Sequence, residues 1–175
     1  MPRASSLAIA AAVAAVALLA VLGSERAPAP LEEGEPAPAL ELPRLGGGSL
    51  RLADLRGRAV LVNFWATWCK PCEDEMPAMQ RLYDALRGDG FELLAVSVDV
   101  GDDEVAAFRE RLGLGFPILR DPDRREATRW QSLRFPESWL VDPEGRIAAR
   151  FIGPRDWDAP EYADRIRALL APRAP

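Results

Sequence analysis

Cys69 and Cys72 are the only thiols in this 175-residue chain, and just Lys70 and Pro71 lie between them. Two sulfurs at that spacing, set where a buried strand turns into a helix, can open and close a disulfide. One sulfur is presented to a partner while the other waits behind it. Unpaired backbone N–H groups and the positive end of the helix dipole favour thiolate over thiol at the first position. Cys69 is therefore the expected nucleophile and Cys72 the resolving thiol. Lys70 adds a positive charge beside Cys69 that solvent screens.

The rest of the composition narrows the chemistry. Histidine is absent, which removes His-dependent Ser and Cys triads and His-ligated zinc or haem iron. A closed zinc site needs four ligands and only two thiols are present, so no metal and no bound cofactor is expected. A net charge of -5, with no basic patch interleaved with aromatics, excludes nucleic acid and points to a protein partner.

The elements that must position the dithiol follow from the pattern around it. Ala59-Val60-Leu61-Val62-Asn63-Phe64-Trp65 is an apolar run with one polar interruption, which predicts a central strand covered on both faces. After the cysteines, Met76, Met79, Leu82, Tyr83 and Leu86 recur at helical spacing until Gly88 and Gly90, with Pro77 inside the helix. Phe91 to Asp99 predicts a second buried strand. A helix capped by Asp102 or Asp103 should then run through about Leu112, so the two strands are joined by parallel crossovers. Phe116 to Leu119 reads as a short extended piece and Glu126 to Leu133 as a short helix. Two hairpins are expected, one around Gly46-Gly47-Gly48-Ser49 and one around Asp142-Pro143-Glu144-Gly145. A closing helix covers Glu161 to Leu170.

The amino terminus differs in kind. Leu7 to Leu22 is an uninterrupted apolar run behind Arg3, about 24 Å long as a helix against a hydrocarbon core of about 30 Å. It reads as a signal anchor, uncleaved because Pro30 follows the small-residue site Ala27-Pro28-Ala29; a removed signal is the alternative. The expected organisation is an anchor over 1–26, a Pro/Ala/Glu-rich tether over 27–38, one domain over 39–171 and a frayed tail over 172–175. That arrangement puts the domain outside the cytoplasmic membrane, in a bacterial periplasm or its equivalent.

Three separated stretches together carry a resemblance. Asn63 through Cys72, then Glu75-Met76-Pro77, then Phe135-Pro136-Glu137-Ser138-Trp139-Leu140-Val141-Asp142, resemble the thioredoxin superfamily. The match is to its membrane-anchored, extracytoplasmic TlpA/ResA-like thiol-disulfide oxidoreductases, within the redoxin or AhpC/TSA-like group. The resemblance implies an α/β, thioredoxin-like fold: a central mixed β-sheet flanked by helices, with an added N-terminal β-hairpin. It also implies a cis peptide at Pro136. Trp68, Lys70, Pro71, Phe135 and Pro136 then form the substrate-binding rim, and the Phe135 backbone pairs with an incoming peptide.

The implied reaction is attack by the Cys69 thiolate on a partner disulfide, followed by attack of Cys72 on Cys69. Thioredoxins proper place an aspartate beneath the second cysteine where this chain has Asn63. Glu75, three residues after Cys72 and matching an active-site glutamate of the ResA-like branch, is the candidate proton acceptor; the alternative is a surface acid favoured by the helix dipole. With no histidine between the cysteines, Lys-Pro is closer to a reductant's Gly-Pro than to a DsbA-type oxidant. The family implies a membrane electron donor of the DsbD or CcdA type, and oxidised apocytochrome c as one substrate class. A monomer is expected.

Three rivals are weaker. A peroxiredoxin needs a threonine or serine where Ala66 stands, and a Sco-like copper chaperone needs three residues between cysteines and a distal histidine. A structural staple closes too short a loop to stabilise much. Trp65 and Trp68 are expected to flank the redox pair, and Trp130, Trp139 and Trp157 to be packing residues.

Overall fold

The computed structural model describes residues 12–16, 18 and 29–171. The chain divides into two compact units, Met1–Pro30 and Leu31–Pro175. In the first, residues 12–16 and 18 are helical. Among the described residues no helix is long and apolar enough to cross a membrane. The expected anchor over 1–26 lies largely outside the described residues, and the tail over 172–175 wholly so.

In the second unit, β1 (Glu41–Pro43) and β2 (Ser49–Arg51) form the expected antiparallel hairpin. The sheet proper consists of β3 (Ala59–Trp65), β4 (Phe91–Ser97), β5 (Ile118–Arg120), β6 (Glu137–Val141) and β7 (Ile147–Ile152), in the order β5-β4-β3-β6-β7. β3 runs parallel to β4 and antiparallel to β6, so the sheet is mixed. All seven residues of β3 are buried, as its continuous apolar run requires of a strand covered on both faces. The helices are α1 (Lys70–Leu86), α2 (Asp102–Leu112), α3 (Arg125–Arg129) and α4 (Pro160–Leu170). α1 links β3 to β4 and α2 links β4 to β5, the crossover that parallel neighbours demand.

α1 begins with Cys69 as its N-cap residue and Pro71 in its first turn, where a missing N–H costs nothing. Cys72, Met76, Met79, Leu82, Tyr83 and Leu86 form its buried stripe. The stripe ends at a short turn over Arg87–Asp89, and Gly90 at φ 102° then lets the chain reverse into β4.

Three local expectations need correction. Neither Asp102 nor Asp103 caps α2: Gly101 is the N-cap residue and no side-chain cap bond forms, because the Asp102 carboxylate accepts Nε of Arg120 at 2.7 Å instead. The short helix is Arg125–Arg129 rather than Glu126 to Leu133, since Gln131 takes a left-handed φ of 52° that no helix continues through. Part of the expected tether is ordered: Gly34 N–H donates to the Ile147 carbonyl, Ile147 N–H to Glu35 and Ala37 N–H to Gly145. The backbone of 34–37 thus pairs beside the β6–β7 turn despite an apolar-poor composition.

Candidate active site

Cys69 and Cys72 are joined by a disulfide, S–S 2.11 Å with Cα atoms 5.3 Å apart. Cys69 is 6% exposed and Cys72 fully buried, so of the two residues only the first keeps any accessible surface. The Cys72 N–H points at Cys69 Sγ, 3.3 Å away. This is the N-cap interaction in which sulfur takes the place usually held by a Ser or Asp oxygen. A thiolate at Cys69 would inherit that donor and the other free N–H groups of the first turn.

Glu75 lies one turn further along α1, and the sheet closes over it. It is only 4% exposed. Its Oε1 accepts from Nδ2 of Asn63 at 3.1 Å, and its Oε2 accepts from the Arg155 backbone N–H and from Nε1 of Trp157, both at 3.0 Å. Asn63 also donates to Oγ of Ser138 on β6 at 2.9 Å. Burial pushes the Glu75 carboxyl up to about 7, against the pull of its three N–H donors and of the Arg155 charge. A group with that value exchanges its proton near neutral pH, which is what acid–base work there requires. A cavity of about 420 Å³, walled by Pro71, Glu75, Ala78, Arg81 and the 154–158 loop, opens beside it.

The acid is therefore no surface residue of a helix start. Asn63, at the place where thioredoxins proper carry an aspartate, serves as a donor to Glu75. Trp157, expected as packing, does pack against Phe151 and Tyr162, and it also belongs to the site through its indole N–H. Its only sequence signal was a lone aromatic between Asp156 and Asp158 in a polar loop.

The turn before the cysteines is held from the other side. Asp99, 4% exposed at the end of β4, accepts the Thr67 N–H at 3.0–3.1 Å and the Thr67 hydroxyl at 2.7 Å. Ser97 Oγ donates to Asp99 at 2.8 Å and accepts from Arg120 at 2.6 Å. Arg120 also donates to the carbonyls of Asp99 and Gly101. Sequence reading missed this group, since nothing in its spacing connects Thr67 with Asp99 and Arg120.

The rim residues separate into two kinds. Trp68 is 64% exposed and meets Phe135 edge-on with ring centroids 6.1 Å apart, while the Phe135–Pro136 bond is cis, as the resemblance implied. Lys70 pairs with Asp74, four residues along α1, so its charge is shared with that acid rather than directed at Cys69 alone. Trp65 is buried against Phe108, centroids 4.7 Å apart, and packs in the core rather than on the rim. Ala66, fully buried, occupies the place where a peroxidatic site needs a hydroxyl.

A sheet of this order, bearing a Cys-x-x-Cys disulfide at the start of the helix after its central strand, defines a thioredoxin-like dithiol oxidoreductase. Residues 34–150 match the family model described as AhpC/TSA family. The chain is 37% identical over 123 residues to the thiol-disulfide oxidoreductase ResA of Bacillus thuringiensis, covering 70% of this chain and 71% of that protein. It is 42% identical over 114 residues to the ResA of Geobacillus kaustophilus, covering 65% and 66%. Among solved structures, a protein assigned as the thiol:disulfide interchange protein DsbE of Chlorobium tepidum superposes with a TM-score of 0.75 at 28% identity, covering 81% of this chain and 99% of that one. The chain belongs to the AhpC/TSA family, and within it is a thiol-disulfide oxidoreductase of the ResA and DsbE type.

Proposed function

We propose that the domain reduces disulfides in partner proteins outside the cytoplasmic membrane. Cys69 thiolate attacks one sulfur of the partner's disulfide; a mixed disulfide forms and the partner's other sulfur leaves as thiolate. Cys72, losing its proton, then attacks Cys69, which releases the second partner sulfur and restores the Cys69–Cys72 bond. The partner gains two electrons and the domain gives up two. Glu75 accepts the Cys72 proton, directly or through water in the cavity beside it. The observation that carries this reading is the Cys69–Cys72 disulfide at the start of the helix, with Cys72 fully buried and the buried Glu75 carboxyl one helical turn beyond it.

An exported compartment is oxidising, so the dithiol must be recharged. A membrane donor of the DsbD or CcdA type fills that role, and the anchor read in residues 1–26 holds the domain near it at high effective concentration. Oxidised apocytochrome c is the proposed substrate, which places the protein in cytochrome c maturation. Trp68, Lys70, Pro71, Phe135 and Pro136 form the rim that receives it.

Redox titration of the Cys69–Cys72 couple tests the direction. A potential near thioredoxin's, about -270 mV, supports a reductant; one near DsbA's, about -120 mV, contradicts it.

A further inference from the structure

Arg124 is held in an unusual way beside the redox pair. Its backbone is left-handed, φ 55°, a conformation that strains a residue with a Cβ. The strain is imposed by a tight turn: Arg124 N–H donates to the Asp121 carbonyl, while the Asp121 carboxylate takes the Glu126 and Ala127 N–H groups of α3. The result is a guanidinium 5.9 Å from the ring centroid of Trp68, the residue immediately before Cys69.

The neighbouring cations are occupied and Arg124 is not. Lys70 pairs with Asp74, Arg111 with Glu73 and Arg125 with Asp123. Arg124 makes no ion pair with a carboxylate among the described residues. The residues flanking Phe135 and Pro136 in sequence, Arg134 and Glu137, line a pocket of about 210 Å³ together with Leu133, Arg150 and Ile152. Glu137 there is 1% exposed and paired with Arg150, and the Arg134 backbone N–H and charge also act on that carboxylate, so two cations share one acid. Leu133 and Ile152 give the pocket an apolar lip, 74% and 49% exposed.

We propose that this rim selects partner segments carrying an acidic side chain beside the disulfide, with Arg124 on its Trp68 platform as the residue that reads the carboxylate. The proposal rests on the exchange reaction above and names the partner chemistry it favours. A guanidinium held over an indole face at cation–π distance keeps its N–H groups open to a carboxylate. The protein's overall charge of -5 biases encounter toward basic partners. A preference for acidic ones therefore has to come from this local site.

The test uses two synthetic peptides with the same intramolecular disulfide, one flanked by glutamate and one by lysine, reduced by the full chain at low ionic strength. The wild type is expected to reduce the acidic peptide about fivefold faster by kcat/KM, and Arg124→Glu to reverse the order, with Arg124→Ala between them. Because the ratio is taken within each variant, partial loss of folding cancels. Equal ratios in wild type and Arg124→Glu, or a wild-type preference for lysine, would overturn the proposal. Turnover of the neutral hydroxyethyl disulfide by the wild type separates the two levels. Turnover with equal peptide ratios sinks the acidic selectivity alone; no turnover sinks the exchange reading with it.

Discussion

Glu75 and Asp99 are two carboxylates buried to the same extent, each 4% exposed, on opposite sides of one dithiol, and their surroundings give them different work. Asp99 takes two hydrogen bonds from the backbone N–H of Thr67, one from its hydroxyl and one from Ser97, whose oxygen in turn receives Arg120. The Thr67 bonds fasten the turn that carries Trp68 and Cys69, and the Ser97 and Arg120 bonds fix the carboxylate that makes them. Glu75 takes its three bonds from an amide, a backbone N–H and an indole, none of them formally charged, so burial dominates and raises its proton affinity. Equal burial thus accompanies different work: the Asp99 carboxylate fastens the turn before the cysteines, while the Glu75 carboxyl, one turn along the helix from Cys72, is the one that burial raises to about 7.

The largest effect expected is at the sulfurs. Cys69→Ser should abolish turnover, whereas Cys72→Ser should accumulate mixed disulfides visible on a non-reducing gel. Asp99→Ala comes next. It strands the Thr67 N–H and the Arg120 charge network, so a loss of about 2–4 kcal/mol is expected in urea unfolding, together with slower reduction of every disulfide tested. If that variant were as stable as the wild type, the positioning half of the comparison would fail.

The titrating half predicts a sign. Because the folded state holds the Glu75 proton more tightly than the unfolded chain, its contribution to stability is full below about pH 4.5 and is lost as pH rises through about 7. The shift corresponds to at most about 3 kcal/mol. Glu75→Gln should flatten that part of the stability profile and remove the rise in partner reduction near neutrality. Trp157→Phe keeps the ring and deletes one donor to the carboxylate. The Glu75 value should then climb by up to about one unit, read as a displaced pH–rate profile. The smallest effect should come from Lys70→Ala, whose ion pair with Asp74 is exposed and screened.

Much of the scaffold was legible in the sequence, because local pattern determines it. The continuous apolar run of β3, the heptad-like stripe of α1 and both hairpin turns needed no long-range information. The cysteine spacing and the three motif stretches carried the site's centre. What stayed hidden depends on pairs the fold alone brings together: Trp157 and Glu75 are 82 positions apart, Thr67 and Asp99 are 32. Asp99 reads as the end of a strand and Trp157 as packing until the sheet order sets their neighbours. The acidic residues starting α2 show the same limit, since Arg120 from β5 claims the one that might have capped.

The exchange reaction depends on an asymmetry between the two cysteines, Cys69 keeping a small accessible surface at the helix start and Cys72 having none. The direct measurement is iodoacetamide labelling of the dithiothreitol-reduced protein across pH 5 to 8, with the modified cysteine located by mass spectrometry. Alkylation confined at first to Cys69, already rapid below the ordinary thiol range near 8.5, is the predicted result. Equal labelling of both, earlier labelling of Cys72, or inertness of both sulfurs would contradict it.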